Sequence, residues 1–456
     1  MKPNEVDRLV STAKKFYWPA FARDASWFDH PMSIIESVEG HHVVDIFGNR
    51  LLETLSCGGA AHLGFNLPEI MEAVFDQMKK VLNTTPALFS PTEPAILLAE
   101  KIASISPGSL KYTIFSSNGT DANDAAVKVA RQYWKIMGKG TKHKVIHRYP
   151  GDYHGMSLSM ANASGHRFRR VAFEPLMAGF IAIHAPNCYR CPYNLTYPEC
   201  DLLCAQELRK VVEWEDPSTI ACFMVETTNT GLGLIPSPPG YIKMIRDICD
   251  EHEILLIVDE VITGFGKTGF WFGCQEHGIV PDMIAMGKGI CAGCGPLAGT
   301  HVKSEIAEVF TGKNVIEHGY TFGGMGYLAA AGLAGIKYVE DHKLLARVPE
   351  ISARLSQELE PLKDKSPVVG DVRVNGVMAG VELVKDKAAK ETFANNVEVA
   401  GLVGKVGRDN GVLLTCSPWY GDIILLYLQL TMTDEELSMT FNAVNKAVVE
   451  VEKQFL

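Results

Sequence analysis

Asp282-Met-Ile-Ala-Met-Gly-Lys-Gly289 is a short apolar run that ends in a lone lysine held between glycines. Consecutive apolar residues bounded by turn formers suit a strand buried on both faces. Upstream, Leu255-Leu-Ile-Val-Asp259 is a second such run, and it ends in an aspartate. Two buried strands that each deliver one ionisable group at the carboxyl end suit a parallel sheet, where ligands bind beyond those ends.

Working outward, the pattern predicts strands at Tyr112–Phe115, Lys144–His147, Ile220–Val225, Ile254–Val258 and Met283–Met286. Helical periodicity over Leu67–Val81, Pro94–Ile105 and Asp124–Trp134 lies before and between them. Alternation of this kind specifies an α/β fold with a mainly parallel central sheet. Nearer the N-terminus, a helix and an arm occupy residues 1–36, and Ile35–Leu55 alternates with period two around a turn at Phe47-Gly-Asn49, as a small antiparallel sheet does. Beyond Leu328 come helices over Leu328–His342 and Arg347–Leu362, strands within Gly370–Leu383, Gly411–Thr415 and Ile423–Leu430, and a closing helix after Thr433. We therefore divide the chain into an arm and part of a small domain (1–65), a large domain (66–327) and a C-terminal small domain (328–456), the small α/β domain being built from both termini.

A chain of 456 residues with 47% hydrophobic and 21% charged residues has the composition of a large globular enzyme. Its net charge of −10 disfavours nucleic acid as a partner, because phosphate neutralisation needs a basic face. No apolar run approaches the roughly 18–20 residues of a membrane span, and the first residues lack a signal-peptide core. The expected location is cytoplasmic, with the 11 cysteines reduced.

The strand ends carry the chemistry. Tyr112-Thr-Ile-Phe115 leads through Ser116-Ser-Asn-Gly-Thr-Asp-Ala-Asn123 into a helix. A glycine turn feeding a helix N-terminus offers free backbone N–H groups and the positive dipole end to a phosphate; Gly119 admits the backbone and Thr120 adds a hydroxyl. An ordinary capped helix would read the same way in isolation. In Arg148-Tyr-Pro-Gly-Asp-Tyr-His-Gly155, Tyr153 is placed to stack on a planar ring. Glu226 ends the strand Ile220–Val225 with another carboxylate. Asp259 can hold a pyridine nitrogen protonated, and Val261, on the same side of an extended chain, can pack on the ring face opposite Tyr153. The Lys288 amine can form a Schiff base with an aldehyde and, once displaced, carry a proton. Together these residues describe a pyridoxal 5'-phosphate (PLP) site.

One rival motif fails on spacing. Gly264-Phe-Gly-Lys-Thr268 ends like a nucleotide phosphate loop, but the position that loop requires to be glycine is Val261. No GxGxxG follows directly on a strand either, since Gly264-Phe-Gly-Lys-Thr-Gly269 is separated by four residues from the run ending at Asp259, which disfavours a dinucleotide.

With these residues in place, nearly the whole chain resembles the class III (omega) aminotransferases of PLP fold type I, in the amine or taurine–pyruvate-like branch. The resemblance is carried by Ser117–Asn123, Tyr153-His-Gly155, Val258-Asp-Glu-Val-Ile-Thr-Gly-Phe-Gly-Lys-Thr-Gly269, Met286-Gly-Lys-Gly289 and His318-Gly-Tyr-Thr-Phe-Gly-Gly324. It implies a ping-pong exchange in which an amine donates to the cofactor and a keto acid, commonly pyruvate, takes the amine back. It also implies that Thr321 reaches the cofactor phosphate of a neighbouring subunit, hence a homodimer with shared sites.

The chain departs from the family pattern where substrate is chosen. Leu55-Ser-Cys-Gly-Gly-Ala-Ala-His62 has Gly59 where the family often has tryptophan. Thr415-Cys-Ser-Pro-Trp-Tyr-Gly-Asp422 lacks the arginine that many members use for substrate carboxylate, and Leu428-Gln-Leu430 replaces a Pro-Pro-Leu. Trp18, Gly59, Phe89 and Pro418 are the expected pocket residues, and a bulky or long-chain amine is the expected donor. Arg167, Arg169 and Arg170 are the candidates for the acceptor carboxylate. An omega-amino acid or taurine–pyruvate aminotransferase, or an aminomutase or decarboxylating transaminase on the same fold, would use the same cofactor residues. A non-catalytic scaffold is disfavoured by the presence of both Lys288 and Asp259.

Cys188-Tyr-Arg-Cys191 and Cys200-Asp-Leu-Leu-Cys204 have metal-ligand spacing. In a large enzyme whose core needs no metal, reduced packing thiols are the preferred reading, with zinc and disulfides as alternatives. No metal is assigned.

Overall fold

A computed structural model of the chain describes residues 1–20, 25–82, 84, 90–394, 396–417 and 422–456. The large sheet has seven strands, in the order Leu110–Ser116, Ala298–Lys303, Met283–Met286, Leu255–Asp259, Ile220–Glu226, Lys144–Arg148 and Phe180–Ile183. All five strands expected from the pattern lie in it. Ala298–Lys303 runs antiparallel to both neighbours, and the other pairings are parallel.

Two strands, Phe180–Ile183 and Ala298–Lys303, are not among those expected; the first is a short apolar run (Phe-Ile-Ala-Ile), the second is not apolar along its length. In the second, Thr300 and His301 are buried because each finds a partner: Thr300 Oγ1 donates to the Ala122 carbonyl (2.7 Å), and His301 Nδ1 bonds Thr113 Oγ1 (2.9 Å). A hydrogen-bonded polar residue can sit in a sheet interior without an apolar signature.

The helix expected from Asp124 begins earlier, at Gly119, and runs to Ile136. Asn118 caps it by accepting from Asp121 N at 3.0 Å, a contact worth about 1 kcal/mol. Small residues on its inner face (Ala122, Ala125, Ala126, Ala130) are buried and let the helix lie close on the sheet. Helix Gly326–Asp341 packs against Pro68–Lys80 and Glu93–Ile105.

The strands Ile35–Glu39, His42–Asp45 and Arg50–Glu53 form the expected antiparallel sheet, and Val412–Leu413 adds to it in parallel, joining early and late segments of the chain. Asp45 Oδ1 organises its turn by accepting from Phe47 N (2.9 Å) and Asn49 N (2.8 Å). The stretch read as strand over 370–383 is a hairpin, Val369–Asn375 and Met378–Leu383, turning at Gly376 with φ 57°. The stretch 411–415 divides between two sheets: Val412–Leu413 joins the first, whereas Thr415–Cys416 pairs with Ile423–Tyr427. Thr433 and Glu436 form a reciprocal cap on the closing helix Asp434–Phe455. Among the described residues, no helix is long and apolar enough to cross a membrane.

Candidate active site

Register places the ionisable groups. Leu255–Asp259 lies between Ile220–Glu226 and Met283–Met286, so Asp259 stands beside Glu226 on one side and Ala285 on the other. Beyond these strand ends is a cavity of about 460 Å³, lined by Gly119, Thr120, Tyr153, Glu226, Asp259, Val261 and Lys288, seven positions singled out from the sequence. Ser117, Asn118, Asn123 and His154 also line it, and Ala60, Ile262, Pro296 and Leu297 form an apolar wall.

The other expected positions lie elsewhere. Trp18 is 95% exposed and does not line its own chain's cavity. Thr321 is exposed and is likewise absent from that lining. Phe89 and Pro418 lie outside the described residues. Gly59 is buried just behind the wall; a Cβ there would come within 3.2 Å of Ile262 Cδ1.

Two functional residues escaped the sequence reading. Asp259 Oδ2 accepts from Asn123 Nδ2 (2.7 Å) and bonds His154 Nδ1 (2.8 Å), while Oδ1 accepts from Val261 N (3.0 Å). Asn123 is one helical turn beyond Gly119, and His154 follows Tyr153, so adjacency to singled-out residues was the only signal available. Glu226 Oε1 accepts from Tyr153 N (2.6 Å) and its Oε2 from Thr230 N (3.1 Å), which fixes the backbone that presents the tyrosine ring.

The charges are set by burial and by one another. Burial lowers the Lys288 ammonium to about 8, with Asp259, Glu226 and Cys57 opposing the change. Burial, with the charges of Asp152 and Asp259 beside it, raises Glu226 to about 7. Burial pushes His154 down, but the carboxylates of Asp152 and Asp259 outweigh it and raise the imidazole to about 10. Lys267 is lowered to about 7 by burial and by the charge of Lys288.

The arrangement fits PLP. Asn118 caps an 18-residue helix whose first N–H groups, at Gly119 and Thr120, have no intrahelical partner and face the cavity, as a phosphate requires. Close approach there depends on glycine: a Cβ on Gly119 would lie 2.8 Å from Val261, and one on Gly155 (φ +127°) would collide with Thr120. A carboxylate suits a ring nitrogen, the Tyr153 ring and Val261 suit the ring faces, and the half-buried Lys288 amine suits the aldehyde.

Of the arginines considered for a carboxylate, Arg169 is buried, with its guanidinium carbon 4.0 Å from the Tyr153 ring centroid. Arg167 is exposed, and Arg170 lies against Tyr149 at 4.7 Å. All eleven cysteines are free thiols, and among the described residues no group of His, Cys, Asp or Glu is gathered so as to hold a metal ion.

Comparison with known proteins identifies the family and the fold. The class-III aminotransferase family profile matches residues 24–448. Adenosylmethionine-8-amino-7-oxononanoate aminotransferase of Geobacter sulfurreducens is 33% identical over 454 residues, covering 98% of this chain and 99% of that one. Taurine–pyruvate aminotransferase of Bilophila wadsworthia is 31% identical over 457 residues and 98% of each chain. Among solved structures, a thermostable omega transaminase variant matches with a TM-score of 0.92 and 26% identity, over 98% of this chain and 100% of that one. That variant carries glycine in place of a tryptophan and was engineered for asymmetric synthesis of enantiopure bulky amines.

Proposed function

This chain belongs to the class-III aminotransferases, PLP-dependent enzymes of fold type I, and on that premise we propose that it moves an amino group from a bulky or long-chain primary amine to a keto acid, pyruvate foremost. The cofactor, when bound, supplies the electron sink. In this reading Lys288 holds the cofactor aldehyde and then carries the proton at the substrate carbon. Asp259 holds the ring nitrogen, Tyr153 and Val261 the ring faces, and Gly119 and Thr120 the phosphate. Glu226 fixes Tyr153. Thr321 and Trp18, both exposed and away from their own chain's cavity, are assigned to the site of a second copy in a cytoplasmic homodimer.

The observation that carries the substrate reading is Gly59. Ser56, Cys57, Gly58 and Gly59 have φ of 47°, 51°, 67° and 85°, a left-handed turn that Glu53 secures through Leu55 N (3.0 Å) and Cys57 N (3.1 Å). Each non-glycine residue in such a turn costs roughly 1–2 kcal/mol, so the glycine pair limits that cost and leaves no side chain behind Ile262. The engineered relative supports the same link between a tryptophan-to-glycine change and bulky amines.

A panel of amines assayed against pyruvate tests this. Bulky amines are expected to exceed β-alanine, 4-aminobutyrate and taurine in kcat/KM; an order-of-magnitude advantage for any of these small donors overturns the proposal. Gly59→Trp should cut kcat/KM for bulky amines by about tenfold or more, since loss of one favourable fit is worth about 1–3 kcal/mol. It should also lower Tm, because tryptophan at φ +85° is strained.

We assign the acceptor carboxylate to Arg169, whose positive charge reaches Lys288. Arg169→Gln should raise KM for pyruvate about 10- to 100-fold, the scale of one charged hydrogen bond. An uncharged aldehyde acceptor should be unaffected; equal loss on both acceptors removes the assignment.

A further inference from the structure

Behind Asp259 runs a buried chain of alternating charge. Arg148 binds Asp152 with two hydrogen bonds, Nε to Oδ2 at 2.8 Å and Nη2 to Oδ1 at 2.5 Å. Arg148 is further fixed by the Glu226 carbonyl at 2.7 Å, and its guanidinium carbon lies 5.6 Å from the Tyr241 ring centroid. Asp152 Oδ2 lies 3.7 Å from His154 Nε2, and His154 Nδ1 lies 2.8 Å from Asp259 Oδ2. None of the four side chains is more than 3% exposed. His154 is therefore hydrogen-bonded to a carboxylate at Nδ1 and has a second carboxylate 3.7 Å from Nε2, which makes no hydrogen bond of its own among the described residues.

We propose that Asp152, anchored by Arg148, is a positioning residue that keeps His154 doubly protonated, so that its Nδ1 always donates to Asp259. The physical reason is the tautomer. A neutral imidazole carries one N–H, and with that proton on Nε2 the bare Nδ1 would face Asp259 lone pair to lone pair. With both nitrogens protonated that state does not exist, and the Asp259 carboxylate holds one orientation toward the cavity. Asn123 reinforces it by donating to the same oxygen and to the His154 carbonyl (3.0 Å). The other charged or titratable groups around His154 are Arg148, His147, His166 and Glu226. Burial holds His147 at about 3 and His166 at about 4, so neither competes for the proton.

The proposal rests on Asp259 as the partner of the ring nitrogen, and its test is separate from that reading. Full-length protein is labelled with ¹⁵N at the histidine imidazoles, the His154 signals are assigned with His154→Gln, and pH is titrated with and without PLP. In the wild type both ring nitrogens should stay protonated in mildly alkaline buffer and titrate near 10. In Asp152→Asn the midpoint should fall by at least about one unit, a tenfold change in the proton equilibrium. A wild-type His154 carrying a single proton in mildly alkaline buffer overturns the proposal, as does a midpoint unmoved in Asp152→Asn. The wild-type measurement decides even if the variant fails to fold. Failure of the Asp259 reading would show differently, as PLP bound without loss of affinity in Asp259→Asn.

Discussion

Lys288→Ala should lose at least roughly 10³–10⁴-fold in kcat/KM for every amine while folding normally, because it removes the covalent amine and the proton carrier at once. Lys288 is half-buried at the start of the turn Lys288–Cys291, with φ 49°, and among the described residues no other amine lines the cavity. Lys267, the nearest buried substitute, is turned to the Gly264 carbonyl at 3.2 Å and cannot take over without breaking that contact. Linkage separates chemistry from folding. Burial lowers the Lys288 ammonium from 10.5 to about 8, so between those values the unfolded chain binds more protons than the folded one. Stability contributed by this group therefore rises with pH across that window, and below about 8 the ammonium is a cost. Alanine removes the cost, and the cofactor-free variant should melt no lower than cofactor-free wild type at neutral pH. Retention of more than about 1% of wild-type kcat/KM would exclude the role, since that loss is smaller than general acid–base catalysis alone commonly supplies.

How much of this was legible in the sequence depends on whether a residue's partner is local. Lys288 and Asp259 were readable because fully buried strands must be apolar along their length, which makes a charge at the end conspicuous. The turn assigned to the phosphate was readable as a turn, yet its helix starts at Gly119, where the Asn118 side chain caps it despite the low helix propensity of Gly-Thr-Asp. Asn123 and His154 stood in the quoted blocks without an assigned role, because their contact exists only where Asp259 meets them from more than a hundred residues away. Distant partners likewise decide Thr300 and His301, whose burial depends on Ala122 and Thr113. Gly59 stood out only against the family pattern, and the left-handed Ser56 and Cys57 before it are held by Glu53 and by the Tyr427 carbonyl, to which Ser56 Oγ donates at 2.5 Å. Composition along a short window cannot encode such contacts. Separation of 412–413 from 415–416 into different sheets is likewise decided by the strands waiting on either side of Leu414.

Asp259→Asn should lower kcat about 10²–10³-fold, the scale of removing one preorganised electrostatic partner from a buried site. The substitution is isosteric, but every oxygen position of Asp259 already faces a donor. Oδ2 meets Asn123 Nδ2 and His154 Nδ1, and Oδ1 meets Val261 N. An asparagine must place its NH₂ at one of these positions, donor against donor, at a cost of about 1–3 kcal/mol. If the NH₂ replaces Oδ2, it opposes both Asn123 and His154; if it replaces Oδ1, it opposes the backbone at Val261. The second arrangement breaks one bond rather than two and should prevail, so the residual oxygen stays with His154 while the amide hydrogens point toward Val261 and the cavity. There they confront a ring nitrogen with a donor where it needs a negative acceptor. PLP affinity should fall along with kcat, whereas Lys288, losing the charge that most opposes its deprotonation, should titrate lower than in the wild type. A variant with wild-type kcat and PLP affinity would remove Asp259 from the site. A loss of Tm with both retained would leave it only as the acceptor that holds Asn123 and His154 together.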